Sequence, residues 1–452
     1  MPNMITKFTK IMMDAKLDDT PIRAFLQYYK LLSKGATGKV SENDITPPDQ
    51  KQIKDYRTLT IPSYLPYKKL AVIKLNGGLG TSMGLKKVKS LLPAKNGLTF
   101  LDIIVAQILH LRAEKKENIP LLLMDSFNTR KDTLDFLKKY PSIKLANIPL
   151  DFIQNKFPKI KQSDLSPLKL DDDNMNWNPP GHGEIYMVMQ ITGILDKLLD
   201  NGIEYAFISN SDNLGAVVNE KIFGYFANND IPFLMEVCER TEMDNKGGHI
   251  AQTKDGQLIL REIAQCPEDE IHLFQDINLY KYFNTNNLWV NLKYLKKELQ
   301  NYNNLLPLSL IINPKEIEGN KVYQIESAMG SAISVFEGSK AIAVPRNRLV
   351  PVKKTNDLLL VWSDAYKLRK DYQIMLENDS GIRPEINLDD RFYKTIDKLN
   401  SHCKKGIPSL KKCTSLIVEE DVRFGNNVKI IGDVRISHKM KLENITLENE
   451  SI

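Results

Sequence analysis

The chain has 452 residues, 42% of them hydrophobic, enough to bury a large core and to form two or three domains. No apolar run nears the roughly 18 residues that span a bilayer and the amino terminus MPNMITKFTK lacks an apolar signal core, so a cytoplasmic protein off the membrane is expected. The net charge of +6 is spread too thinly for a nucleic-acid stripe, and four cysteines (Cys238, Cys266, Cys403, Cys413) without a CxxC pair exclude a disulfide framework or a zinc motif.

Residues 1–68 read as a helical prelude. Ile22, Phe25, Leu26, Tyr29 and Leu32 recur at helical spacing and form one apolar face that packs on the main domain. Residues 39–67 are polar, carry prolines at 47, 48, 62 and 66, and read as a connector. From Leu70 the pattern alternates short apolar strands with helices to about Ala343, as in a doubly wound α/β sheet. The division expected is 1–68, 69–380 and 381–452.

The first strand, Leu70 to Leu75, is apolar apart from Lys74 and runs into Gly77, Gly78, Gly80 and Gly84, with Lys86, Lys87 and Lys89 close behind. Glycines let backbone N–H groups approach a phosphate, and the lysines supply charge. The spacing fits neither the P-loop nor the dinucleotide fingerprint. A helix follows from Thr99 to Leu111, and later strands are expected at Ile119 to Met124, Glu204 to Ser209 and Pro232 to Glu239. Ligands of such sheets bind beyond the carboxyl ends of the strands.

Several loops fall there. Met124 to Thr129 and Phe152 to Phe157 are polar strand exits with an aromatic anchor, open to a structural or a functional reading. Asn178 to Glu184, NPPGHGE, is stiffened by two prolines and loosened by two glycines, and presents His182. In Ser209 to Gly215, SNSDNLG, Asp212 suits either a Mg²⁺ ligand or a helix cap. Lys246 to Gly248 and Leu260 to Gln265 read as a hairpin and strand over the site. The carboxamide-rich Phe283 to Trp289 reads as turn chemistry. Pro345 to Asp357 places four cations within nine residues, stiffened by two prolines, as a solvated edge strand would.

The carboxyl-terminal part repeats in sixes. Leu416, Val422, Val428, Val434 and Met440 form one series, and Val418, Phe424, Ile430, Ile436 and Leu442 the other, which is the period of a parallel β-helix. Gly425, Asn426, Asn427 and Gly432 serve as its corners.

LNGGLGTSMG, from Leu75 to Gly84, with the lysines behind it, resembles the nucleotide-binding loop of the eukaryotic-type UTP–glucose-1-phosphate uridylyltransferases. Four further loops carry the likeness from roughly Leu65 to the end. The resemblance implies a nucleotidyltransferase sheet, Rossmann-like and GT-A-like, with a left-handed parallel β-helix domain that self-associates in some members. It implies UTP and glucose 1-phosphate as substrates, UDP-glucose and pyrophosphate as products, and Mg²⁺ as cofactor, with no nucleic-acid or membrane partner. By position it assigns Leu75, Asn76, Gly77, Gly78, Gln154 and Gly181 to the nucleotide, Gln154 to the uracil edge. His182, Asn210, Ser211, Glu262 and Asn286 fall to the sugar phosphate, Asp212 to the metal, and Lys89 and Lys353 to catalysis. Four departures stand out: Asn178 for a common Tyr, Glu184 for Asp, Leu349-Val350 for Phe-Leu, and Lys87-Val88 for Gly-Pro. The last should alter the local backbone and leaves Lys86 and Lys87 as rivals of Lys89. UDP-sugar and UDP-N-acetylhexosamine pyrophosphorylases are alternatives, although the latter tend to carry Ala-Gly-Gly-Gln in the first loop. A catalytically inactive regulatory subunit is another.

Overall fold

The computed structural model describes residues 2–85, 87–378 and 381–452. Two helices open the chain, α1 (Pro2–Asp14) and α2 (Asp19–Ser33). On α2 the predicted stripe is inward: Ile22, Phe25, Tyr29 and Leu32 are buried and Leu26 is half-buried. A helix of this length is marginal alone in water, so the packing holds it. Phe25 meets Phe157 edge-on at 5.4 Å between ring centres, and Trp177 and Met187 complete the contact with the main body. Each such buried side chain is worth roughly 1.5–3 kcal/mol.

The centre is an eleven-stranded sheet. Its main path uses β1 (Ile53–Asp55), β2 (Leu70–Leu75), β3 (Leu121–Asp125), β4 (Asp151–Ile153), β5 (Tyr205–Asn210), β6 (Phe233–Glu239), β7 (Tyr282–Asn291) and β8 (Lys340–Ala343). The order is β1-β8-β6-β7-β5-β2-β3-β4. Pairing is parallel from β5 through β4 and again among β6, β8 and β1. Strand β7 runs antiparallel to both neighbours, so the sheet is mixed rather than purely doubly wound. Alternate residues of β2 feed two cores, Leu70 and Val72 on the side of helix α3 (Phe100–Lys115), Ala71 and Ile73 on the other, so both faces are covered. Thr99 begins α3 with a capping box to Asp102, as the sequence reading placed it.

Two sequence readings are corrected here. Residues 39–67 are not a loose connector: Ile45–Thr46 pairs with the hairpin strand His249–Thr253, and β1 is an edge strand beside β8. Ser41 and Glu42 also bind Glu270, and Arg261, fully buried, lies between Glu42 at 2.7 Å and Glu270 at 2.6 Å. The carboxamide run is not a turn either, because Phe283 to Trp289 lies within the ten-residue β7. Asparagines stay in a strand here because a bulge, at the register shift opposite Glu236/Val237, puts Asn286 in the left-handed region at φ 57°, which asparagine tolerates.

The carboxyl-terminal strands are β9 (Glu385–Leu388), β10 (Ser409–Val418), β11 (Val422–Phe424), β12 (Lys429–Ile436), β13 (Met440–Leu442) and β14 (Thr446–Glu448). They pair in parallel in two sheets, β9-β10-β12-β14 and β11-β13. Leu416 lies beside Val434 and Val422 beside Met440, an offset of 18 residues, so three hexads make one coil. Both apolar series point inward, with Met440 at the rim. At the corners Asn427 adopts φ 53° and stacks on Asn444 through a 2.9 Å amide bond, and Gly432 adopts φ 65°. This coil shares one continuous core with the α3 face of the sheet.

Candidate active site

Strands β2, β3, β4 and β5 end on one edge. There, a cavity of about 300 Å³ is lined by Leu75, Gly77, Gly78, Lys89, Gln154, Gly181, His182, Asn210, Ser211 and Asp212, together with Leu79, Met124 and Pro179. Ten of the fourteen residues singled out from the sequence thus meet in one place. A second cavity, about 330 Å³, lies on the α3 face, where Lys115 binds Glu220 at 2.5 Å and Tyr67 donates to Glu220 at 3.1 Å.

The glycine loop folds back on itself. Leu79 bridges Val88, and the Lys89 N–H donates to the Gly78 carbonyl at 3.2 Å, which brings Lys89 beside the glycines. Val88 is buried at φ −57°, inside the range that a proline ring imposes, so at this position the backbone is one that a proline would also adopt. Lys87 is exposed and does not line the cavity, and Lys86 lies outside the described residues. Gly78 is open: a Cβ built there meets nothing within 4 Å. The Ser211 N–H donates to the Leu75 carbonyl at 3.1 Å, tying the β2 exit to the β5 exit.

Asn76 behaves differently from the sequence assignment. Its side chain turns away from the cavity and donates to Asp125 at 2.7 Å and Thr133 at 2.9 Å, bracing the loop from behind. Burial pushes the Asp125 carboxyl up to about 7, with the hydrogen bonds from Asn76, Thr129 and Thr133 opposing.

Gln154 donates from Nε2 to the Gly181 carbonyl at 2.8 Å, and its Oε1 faces Gly77. Gly181 takes φ 81°, and any Cβ there would overlap the Ser327 carbonyl oxygen. The loop is zipped to that segment: Ser327 N–H donates to Pro180 O, Gly183 N–H to Ser327 O, and Met329 N–H to His182 Nδ1, all at 2.9 Å. With Nδ1 accepting, the neutral ring carries its proton on Nε2. Burial pushes this imidazole down to about 4. Glu184, one of the departures, is buried and accepts from Asn155 N–H at 3.0 Å and Nδ2 at 2.7 Å; burial raises its carboxyl to about 8.

Asp212 follows the β5 exit. Lys89 Nζ is 2.5 Å from its Oδ2, while Oδ1 is buried and accepts no hydrogen bond among the described residues. Such an orphaned carboxylate oxygen fits a hard cation. No three His, Cys, Asp or Glu side chains gather as a cage among the described residues. The fit is therefore to Mg²⁺ held by one carboxylate with the rest of its shell from water and phosphate.

Lys353, Glu262 and Asn286 stand beyond the cavity wall as a second cluster. Burial raises the Glu262 carboxyl and the nearby Lys353 opposes. Asn284 and Asn286 bind each other reciprocally at 2.8 and 2.9 Å, and the Asn284 N–H donates to Gly248, against which Glu262 packs. Because β7 is antiparallel, its first half arrives at the edge where β2 to β5 end. Gly330, next to the His182 partner Met329, sits against Asn284 and joins the cluster to the cavity.

Sequence reasoning missed the polar layer beneath the cavity. Glu236 of β6 is fully buried and holds Arg348 through two 2.6 Å bonds, and it accepts from Trp289 at 2.9 Å and Asn287 at 3.1 Å. Lys74, also buried, donates to Ser209 at 2.8 Å and Ala216 at 2.7 Å. Desolvation pushes its ammonium down to about 7, Arg348 adding to the fall and Glu236 and Asp212 opposing it. The signal was present as single charges inside apolar strands, Lys74 in LAVIKL and Glu236 in FLMEVCE.

The family profile described as UTP--glucose-1-phosphate uridylyltransferase matches residues 22–431. A UTP--glucose-1-phosphate uridylyltransferase of Musa acuminata is 41% identical over 443 residues, 94% of this chain and 93% of that protein. One of Hordeum vulgare is 40% identical over 97% of this chain and 95% of that protein. The crystal structure of a mutant UDP-glucose pyrophosphorylase from Leishmania major, in complex with UDP-glucose, superposes with a TM-score of 0.92 at 38% identity, covering 99% of each chain. No helix among the described residues is long and apolar enough to cross a membrane. At such identity over nearly its whole length, the chain belongs to the UTP–glucose-1-phosphate uridylyltransferase family.

Proposed function

We propose the following division of work for the reaction of this family, in which UTP and glucose 1-phosphate give UDP-glucose and pyrophosphate. The backbone of Gly77 and Gly78 cradles the triphosphate. Gln154 reads the uracil edge: one amide proton is committed to Gly181, leaving a second donor and Oε1 for the base. His182 donates from Nε2 toward the sugar phosphate, since Nδ1 is occupied. Asn210 and Ser211 contact the sugar phosphate, and Glu262 and Asn286 offer paired donors and acceptors to glucose hydroxyls. Asp212 holds Mg²⁺, which when bound neutralises phosphate charge. A phosphate oxygen of glucose 1-phosphate attacks the α-phosphorus of UTP in line and pyrophosphate leaves, with no covalent protein intermediate. The protein's share is positioning and charge stabilisation by Lys89 and Lys353.

The observation that carries this reading is the convergence of the open glycine loop, Gln154, His182 and the Lys89–Asp212 pair on one cavity. In the same reading, residues 69–380 carry the chemistry, 1–68 brace it, and 381–452 form a coil through which copies associate. Its edge strand β14 is paired with β12 on one side only among the described residues. Pyrophosphate release from UTP, CTP and ATP against a panel of sugar 1-phosphates tests the assignment. UTP with glucose 1-phosphate is expected to dominate kcat/KM. Preference for N-acetylglucosamine 1-phosphate or galactose 1-phosphate would point to the broader relatives, and no turnover with any pair to a regulatory module.

A further inference from the structure

Asn213 follows Asp212 and is almost fully buried, 1% exposed. A carboxamide offers two N–H donors and two acceptor lone pairs. Here all four are used. Nδ2 donates to Arg348 O at 3.1 Å and Asn287 Oδ1 at 3.2 Å, and Oδ1 accepts from Val350 N–H at 2.8 Å and Gly215 N–H at 3.2 Å. Two of these partners belong to the loop that leads into Lys353, one to β7 and one to its own loop.

The backbones on either side are joined as well. Asn213 forms a bridge with Pro351, and the Val352 N–H donates to the Asp212 carbonyl at 3.2 Å. One bonded residue on each strand of this junction is thus a neighbour of a reacting group: Asp212 precedes Asn213, and Lys353 follows Val352. Beneath, the Glu236–Arg348 pair and Asn287 fix the far side, for Arg348 O accepts from both Asn213 and Asn287.

We propose that Asn213 is a positioning residue, whose carboxamide locks the loop carrying Asp212 to the loop carrying Lys353 and so fixes the spacing of the metal carboxylate and the phosphate-facing cation. This rests on the roles given above to Asp212 and Lys353. A displacement near 1 Å in such a constellation costs on the order of a hundredfold in rate. The effect should therefore appear in turnover rather than in substrate capture.

The test uses the full chain with Asn213→Ser, Lys353→Met and the double variant, measuring kcat and KM for UTP and glucose 1-phosphate, half-saturating Mg²⁺ and the thermal midpoint. Asn213→Ser should lower kcat on the order of tenfold to a hundredfold per folded molecule, raise half-saturating Mg²⁺, and leave KM for glucose 1-phosphate within about threefold. Residues acting as a unit do not add, so the double variant should be no slower than Lys353→Met within about twofold. If Asn213→Ser does not fold, Asn213→Asp, which keeps both accepted bonds and loses both donated ones, should give the same kinetic pattern. Losses that multiply in the double variant, or an unchanged kcat per folded molecule, overturn the inference. Wild-type turnover in Lys353→Met removes the role of Lys353 itself, and the inference falls with it.

Discussion

Gly78→Ala separates folding from nucleotide binding at a single atom. A Cβ there meets no protein atom within 4 Å, and Gly78 is absent from the positive-φ glycines, so alanine fits its backbone without strain. By reducing the freedom of the unfolded chain, such a change stabilises by roughly 0.4–1 kcal/mol. The methyl nevertheless points into the space assigned to the triphosphate. If it forces a phosphate oxygen away from the loop, one hydrogen bond to a charged group is lost, worth about 1.5–3 kcal/mol. That converts to roughly a tenfold to hundredfold rise in KM for UTP. Initial-rate kinetics beside thermal unfolding make the assay, with Gly181→Ala as its opposite. At Gly181, φ 81° and ψ 167° lie in a region that is nearly glycine-only, costing about 1–3 kcal/mol before the overlap with Ser327 is counted. Gly181→Ala should lower the midpoint and Gly78→Ala should not. A Gly78→Ala enzyme with wild-type KM for UTP would refute the placement of the phosphates on this loop.

Asp212→Ala should abolish metal-dependent turnover while circular dichroism stays native, since one ligand is lost and no packing; normal activity at low Mg²⁺ would reassign the metal. Gln154→Ala should narrow the preference for UTP over CTP in competition kinetics, and an unchanged ratio would move base recognition elsewhere. His182 gives a pH signature. Its folded imidazole is held down at about 4 by burial whereas the unfolded ring titrates near 6.5, so the unfolded chain binds the proton first. The His182 contribution to stability is intact above about 6.5 and is lost as pH falls toward 4. His182→Gln should flatten the fall of the urea midpoint over that window, and an identical slope would show that the ring is protonated when folded.

How much of this was legible depends on whether a residue acts through local chemistry or through its neighbours in space. That Gly77, Gly78, Gln154, His182 and Asp212 line one cavity was readable because each sits where a strand meets a loop, and their motifs are contiguous. The coil was readable because one hexad constrains the next through the same apolar pair. Residues 39–67 looked unattached, since their partners, β8 and the hairpin at His249–Thr253, lie about two hundred residues or more downstream. The asparagines of β7 were misread because composition cannot show that a bulge absorbs Asn286 while Asn287 pairs with Glu236. Asn76 was placed on the ligand although its side chain binds Asp125 and Thr133 behind the loop, because motif identity says nothing of side-chain direction. Val88 shows the converse, a changed residue whose φ of −57° a proline would also take.

The buried charges explain why the site tolerates so much polarity. Glu236 and Arg348 neutralise each other through paired hydrogen bonds, and burying such a pair is seldom stabilising in itself, whereas removing one partner typically costs about 3–5 kcal/mol. An apolar layer in their place would fold as well but would have no directional bonds to offer. The pair instead directs the Arg348 carbonyl at Asn213 and Asn287 and the guanidinium at the Val217 carbonyl. Lys74 reaches Ala216, beside Val217, from the opposite strand. Lys74 also binds Ser209 at the start of the loop bearing Asp212, so Lys74 spans its two ends and Arg348 adds a second hold at the far one, and neither cation lines the cavity. Lys89, by contrast, meets Asp212 at the cavity wall, where both side chains keep some exposure to solvent. Lys89 and Asp212 are 17% and 19% exposed against 6% and 0% for Arg348 and Glu236, so in the proposed reaction an incoming phosphate competes for Lys89 and leaves the layer below untouched.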